Sequence, residues 1–324
     1  MDFFDELRQE AERVTADPKD RKNNYLEKFV PFPEEGTVIV RLLPPSHGMK
    51  LPFQATRLHK LIGRSFHCRK QLQGGKWAGR VGVCPVCDHY NWVWGEINRI
   101  SGTKIAQEAR KCKNPEVQAL ITIADRIKPI ERFYYNAVVR EDPSQTGTKI
   151  LSIGKKLHEK IIIAFVGNPQ IPALKKLGNI CDTTGKEGRD FMIIKANPGG
   201  YPNYDKSQFL DVSPLGDPNQ VKAWLEQCHN LAELRVLKEV AELEKALQQD
   251  LGVIVADGGG YDPSKFIKKQ DKSVVTPVVT TSPAAVEDAV AKTVSTPAAV
   301  EEPPFNTDEE VMADTDFLNE LNEL

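Results

Sequence analysis

PFQATRLHKLIGRSFHCRKQLQGGKWAGRVGVCPVC, residues 52–87, is the stretch on which the reading of this chain turns. Its last four residues, Cys84-Pro85-Val86-Cys87, form a Cys-x-x-Cys knuckle, a turn that aims two thiolates at one ion. Upstream stand Cys68, sixteen residues before Cys84, and His59, twenty-five before it. Three sulfurs and one imidazole complete a closed tetrahedral set. Such a set suits one structural zinc ion and leaves no open position for catalysis. His67 and His89 compete for the nitrogen position, and the knuckle alone also fits a redox pair. Cys112, Cys181 and Cys228 lack partners at ligand spacing and read as core thiols.

The same stretch is strongly basic. Between Gly36 and Cys87 there are nine Lys/Arg and no Asp or Glu. The net charge of −2 hides this, because residues 293–324 hold nine carboxylates and no Lys or Arg. The other 292 residues therefore sum to +7 (43 basic less 36 acidic). A basic body with an acidic tail points to a polyanion partner. No apolar run approaches the roughly 20 residues needed to cross a bilayer, so a membrane role is not expected. The first residues, MDFFDELRQEAERV, have neither the basic start nor the apolar core of a signal peptide. Six cysteines without such a signal fit a reducing compartment.

Aromatic rings are interleaved with the cations. Trp77 lies in GKW, Tyr90, Trp92 and Trp94 follow the knuckle, Phe133-Tyr134-Tyr135 follow Arg132, and Tyr201 and Tyr204 lie in PGGYPNYDKSQF. Proteins that hold single strands combine flat faces for bases with a basic groove for phosphates. Strand alternation requires Phe133 and Tyr135 to be buried if Tyr134 is exposed, or the reverse. Catalytic signatures are missing: no Walker loop, G-x-G-x-x-G, G-x-S-x-G or H-E-x-x-H occurs. A two-metal nuclease centre would lack carboxylates in the basic stretch. His158 and His229 stand alone in helical context and read as satisfied core or surface residues. The chain is not expected to be an enzyme.

Residues 2–14 have helical spacing of Phe3, Phe4, Leu7, Ala11 and Val14. TVIVRLL from Thr37, QATRLHKLI, and residues 133–140, 148–153 and 190–195 predict strands. Residues 88–113, broken near Ser101-Gly102, predict a helix, while 156–164 and 171–177 read either as short helices or as strands. Asn219–Leu251 reads as one long helix entered through Pro218 and stopped at Gly252. Residues 271–304, rich in Thr, Val, Ala, Pro and Ser, read as a disordered linker. Short strands followed by a helical cap suggest an α+β domain around a small barrel.

Several segments in this order resemble the single-stranded DNA-binding, helix-destabilising proteins of T-even-type bacteriophages. They are RLLPPSHG with PFQATRLH, GKW with CPVC, NAVVREDP with ILSIGKKLHEKI, YPNYDKSQFLDVSPL, and the terminal DTDFLNELNEL. The resemblance implies an oligonucleotide-binding (OB)-type β-barrel core with an inserted zinc subdomain, a C-terminal helix and a disordered acidic tail. It implies zinc on His59, Cys68, Cys84 and Cys87. Cleft aromatics fall on Tyr134 and Tyr204, and Trp77 matches the GKW tryptophan; with Tyr90, Arg132, Lys155, Lys156 and Tyr201 they make up the candidate DNA contacts. Two features depart from the family pattern. GKW follows Cys68 here instead of preceding the corresponding cysteine, and the N-terminus is acidic where the family carries a basic run.

The expected organisation is an arm at 1–19 for self-association along DNA, a binding core at 20–252 with its zinc subdomain at about 55–125, a linker at 253–306, and a tip at 307–324. The tip would present Phe317, Leu318, Leu321 and Leu324 to phage replication and recombination proteins. The setting implied is the cytoplasm of an infected bacterium. A zinc-ribbon transcription or RNA-binding factor would share the basic stretch and the knuckle.

Overall fold

The computed structural model describes residues 26–256, apart from 74–75, 80–81, 141–145, 169 and 172–173. The 1–19 arm, the 307–324 tip and nearly all of the 253–306 linker lie outside the described residues. The fold is mixed α+β with an antiparallel sheet. The β-branched and alternating segments form β1 (Gly36–Leu42), β2 (Phe53–Leu61), β3 (Arg64–His67), β6 (Ile130–Val139), β7 (Lys149–Ile153), β8 (Arg189–Lys195) and β9 (Gln208–Val212). A separate hairpin holds β4 (Gln71–Gln73) and β5 (Lys76–Ala78). The helices are α1 (Pro85–Ser101), α2 (Ala106–Lys111), α3 (Pro115–Ile127), α4 (Lys155–Val166), α5 (Pro218–Glu226) and α6 (Val240–Ala256).

β6 is the shared spine of the sheet. Tyr135 pairs with Phe53 of β2 and Leu151 of β7, while Ala137 pairs with Leu42 of β1 and Lys149 of β7. Thus β2 and β1 lie end to end along one edge of β6, and β7 runs along the other. The strand order is β3-β2-β6-β1-β8-β9, and its outer strands do not pair with each other. The sheet is therefore open, not the closed OB-type barrel that the sequence led us to expect. β3 is only four residues long, and the chain leaves it at Cys68, whose N–H bonds to the Arg57 carbonyl at 2.7 Å. The edge that would continue toward closure is committed to the loop that follows.

Both faces of β6 are covered. Phe133, Tyr135 and Ala137 pack with Val40, Phe191 and Ile193, while Tyr134 packs with Phe29, Leu58, Ile150 and Leu231 on the other side. The either-or expectation for Tyr134 fails for that reason: Tyr134, at 1% exposure, is as buried as its neighbours. A helical lobe (α1, α2, α3 and α6) packs around Val93, Ile97, Ile123, Ile127 and Leu243. α1 starts with Pro85 at its first turn and stops where Gly102 adopts φ 72°, its N–H bonding to Asn98 O at 3.0 Å. Helix α3 escaped the sequence reading, although Asn114-Pro115-Glu116 is a start signal: Asn114 Oδ1 accepts the Glu116 N–H at 2.9 Å.

The single helix expected over 219–251 is two helices separated by irregular chain and a 3-10 turn at Leu231–Leu234. Tertiary hydrogen bonds cause the break. Asn136 Oδ1 accepts the His229 N–H at 2.9 Å and its Nδ2 donates to the His229 carbonyl at 2.9 Å. Asn230 then caps the 3-10 turn. Two strand-anchored bonds at one residue outweigh the weak propensity for continuing a helix there. His229, expected in helical context, instead sits in this break and donates from Nε2 to Thr148 O at 3.1 Å.

His158, on α4, sits in an aromatic nest. Its ring stacks on Phe133 with centroids 3.5 Å apart, meets Phe53 edge-on, and places Nδ1 2.7 Å from the Tyr135 hydroxyl. Burial pushes its pKa down to about 4. Because the folded value lies below the unfolded one near 6.5, the unfolded chain binds the proton more readily in that window. Stability is therefore lost as pH falls from about 6.5 to about 4, by about 3 kcal/mol from this residue. Urea unfolding at pH 7 and pH 4.5, for wild type and His158→Leu, checks this: the variant should lose markedly less on acidification.

Candidate metal centre and nucleic-acid interface

Three separate pieces of the chain converge on one point. β2 supplies His59, the chain leaving β3 supplies Cys68, and the start of α1 supplies Cys84 and Cys87. Cys68 Sγ lies 3.6 Å from Cys84 Sγ and 3.5 Å from Cys87 Sγ, and His59 Nε2 lies 3.2 and 3.6 Å from the latter two sulfurs. All four ligand atoms fall within 4.8 Å of one another and all four residues are buried. A tetrahedral ion with ordinary metal–sulfur and metal–nitrogen bonds needs edges of about 3.8 and 3.5 Å, so the cage has the right size. No cysteine here is in a disulfide. The set can hold a metal ion.

Strand alternation explains why His59, and not His67, joins the three cysteines. His59 pairs with Phe66 and shares its side of the hairpin with the helical lobe, while His67 pairs with Leu58 on the other side. There the His67 Nδ1 meets the Thr56 hydroxyl at 3.1 Å, and burial, with help from Arg235, holds its pKa down at about 4. His89 is also excluded: its ring stacks on Trp92 at 5.6 Å. Within the cluster, burial depresses the His59 pKa, but the Cys68 and Cys84 sulfurs more than reverse this and raise it to about 9. Hydrogen bonds from Cys68 and Cys87 push the Cys84 thiol far down, toward thiolate. The neighbouring sulfurs and burial push the Cys87 thiol up instead. Without a cation the cluster therefore favours a Cys84 thiolate beside a protonated His59, and a metal ion would have to displace protons from His59 and Cys87.

The basic stretch divides into structural and solvent-facing cations. Arg41 is fully buried and Arg57 nearly so, each paired with a carboxylate: Asp190 at 2.8 Å and Glu131 at 3.0 Å. Lys70 is buried as well, whereas Lys50, Arg64 and Lys76 are exposed. The candidate aromatics divide in the same way. Trp77 is buried, with its Nε1 donating to Glu131 Oε1 at 2.6 Å and the Arg57 guanidinium 4.8 Å above its ring. Tyr90 is buried in the helical lobe edge-on to Trp94, Arg132 is buried on β6, and Tyr204 is 7% exposed beside Ile193. Lys155 and Lys156 open α4 and are partly exposed. Among these rings only Tyr201, at 60%, offers an open face. It sits on a loop that Lys160 Nζ fastens to α4 through the carbonyls of Asp205 (2.8 Å) and Ser207 (3.2 Å).

No family model matches this chain. Two curated proteins are similar to it at 24% identity. One is a single-stranded DNA-binding protein of Enterobacteria phage T4, aligned over 257 residues, 73% of this chain and 72% of that protein. The other, from Enterobacteria phage T2 and described in the same words, aligns over 259 residues with the same shares. The likeness agrees with the family resemblance seen in the sequence motifs.

The sequence reading missed the Arg57–Glu131–Trp77 group and the Arg41–Asp190 pair. Arg57 and Glu131 meet through the register of β2 against β6, which the sequence alone does not carry. Candidates Phe317, Leu318, Leu321 and Leu324 lie outside the described residues. No helix among the described residues is long and apolar enough to cross a membrane.

Proposed function

We propose that this chain is a non-enzymatic single-stranded DNA-binding protein of a phage, with a structural zinc ion on His59, Cys68, Cys84 and Cys87. The observation that carries the reading is the likeness to two phage single-stranded DNA-binding proteins across nearly three-quarters of the chain. The acid-free basic stretch and the cage of four buried ligands fit it. In this reading phosphates displace counterions from exposed Lys and Arg, and bases stack on accessible rings, Tyr201 first. The protein coats single strands inside the infected cell during replication, recombination and repair. It destabilises duplexes by mass action, associates with its neighbours along the strand, and recruits replication proteins through the acidic tip at 307–324.

Titration of oligo-dT and of a duplex of equal length, followed by fluorescence anisotropy, tests this. Single strands should bind at least a hundredfold tighter, with a log–log salt slope of about −0.7 per phosphate neutralised. Equal affinity for duplex would favour a zinc-ribbon duplex-binding factor instead. Tyr201→Ala should weaken oligo-dT binding by roughly 1–3 kcal/mol without changing the melting temperature. Tyr204→Ala, in contrast, should lower the melting temperature, because its ring fills the core.

A further inference from the structure

Between β2 and the β4–β5 hairpin lies a half-open cleft of about 390 Å³. It touches Phe53, Gln54 and Ala55, three consecutive residues of β2, and Gln71 and Leu72, two consecutive residues of β4. Successive side chains of a strand point to opposite faces, so a cavity touching consecutive residues lies against strand edges, not on a sheet face. The register agrees. β2 pairs with β6 along residues 53–58 but with β3 only from Leu58 onward, which leaves the other edge of its first half without a strand partner among the described residues. The Arg57 carbonyl accepts the Cys68 N–H on that side. Alternation then turns the Phe53 and Ala55 peptide groups toward the cleft, where Gln54 Nε2 donates to Ala55 O at 2.8 Å. The far wall is Arg235, whose guanidinium donates to the carbonyls of Cys68 (2.9 Å) and Lys70 (3.1 Å) and so ties the wall to the metal loop.

The cleft thus combines apolar walls, Phe53 and Leu72, with a narrow rim of carboxamides, peptide groups and a guanidinium. Both strands that form it come from the stretch without a single carboxylate. Its volume is in the range of small-ligand sites, about 300–1,000 Å³. We propose that it takes one unstacked base of a bound single strand, with the Gln54 and Gln71 carboxamides reading the base's polar edge. This rests on the single-strand reading above and adds to it a base preference. The base preference we assign is adenine, because the bidentate contact that Asn and Gln side chains typically make with DNA is to its N6 donor and N7 acceptor.

Three oligonucleotides of one length test it: oligo-dT, oligo-dT with interspersed dA, and a fully abasic strand. Wild type should bind the dA-containing strand at least threefold tighter than oligo-dT. The Gln54→Leu/Gln71→Leu protein should bind the two alike, with an unchanged salt slope. Leu72→Trp, which fills the cleft, should weaken both about tenfold and leave the abasic strand's affinity unchanged. Metal content and melting temperature serve as folding controls for each variant. Wild-type binding of all three strands with equal affinity, or a folded Leu72→Trp protein that binds as wild type does, overturns the inference while the single-strand reading stands. Failure of wild type to bind any of the three overturns both.

Discussion

Cys87→Ser protein should carry less than about a fifth of an equivalent of zinc where wild type carries one, and should melt at least 10 °C lower. Cys87 is buried, contacts both Cys68 and His59 through its sulfur, and begins α1 together with Pro85. A structural zinc site contributes roughly 10–16 kcal/mol in small peptides at neutral pH. Part of that is retained here, because Val93, Ile97, Ile123 and Ile127 still bury against one another without metal. A loss of about 5 kcal/mol or more is the expected remainder, and at this size each kcal/mol moves the midpoint by roughly 2–4 °C. Metal affinity should fall as pH falls, because binding needs three thiolates and a neutral imidazole. Elemental analysis and calorimetry of the two proteins check the prediction. Wild type prepared without chelators and holding under half an equivalent of any metal would sink it.

Arg41→Met should cost about 3–5 kcal/mol of stability and leave the affinity for single strands unchanged once the variant is folded. Arg41 is 0% exposed, and its guanidinium joins pieces far apart in sequence. It donates to Asp190 Oδ1 at 2.8 Å, to Ser213 Oγ and O at 2.7 and 3.0 Å, and to the Asp182 carbonyl at 3.3 Å. Gly188 makes room for this arrangement: a Cβ there would collide with the Asp182 carbonyl and crowd the guanidinium. Burial lowers the Arg41 pKa, and Asp190 opposes that loss. Without the guanidinium, Asp190 keeps Arg140, at 3.3 Å, as its cationic partner among the described residues. Arg41→Lys should recover less than half of the loss, since an ammonium cannot span four acceptors spread over three residues. Urea unfolding and oligo-dT titration together decide the matter. A normal midpoint with weakened binding would make Arg41 a phosphate contact after all.

The cluster that could hold a metal ion was legible in the sequence because chelation imposes spacing: a knuckle, one further cysteine and a histidine within some thirty residues leave few solutions. Only the choice between His59 and His67 needed the hairpin register, which a string of letters does not carry. Strands β1, β2, β6, β7 and β8 were legible from β-branched and aromatic runs. The break between α5 and α6 was not, since its cause is Asn136, more than ninety residues away. Charge was the least legible property. Arg41 and Arg57 look like Lys50 and Arg64 in sequence, yet two are buried against carboxylates and two face water. The aromatics misled in the same way, because FYYNAVV belongs to a strand covered on both faces.

The fork in the sheet at β6 bears on how relatives of this chain can differ in length. A deletion of one residue between Ile130 and Val139 would turn its side chains over against β2, β1 and β7 together, exchanging the Phe133–Tyr135 side with the Tyr134 side. No single repair elsewhere restores three pairings. The connection over residues 43–52 joins the two strands that share one edge of β6 and contains no strand residues of its own. Insertions accepted during divergence should accumulate in such connections, and β6 should keep its length when nearly everything around it has changed.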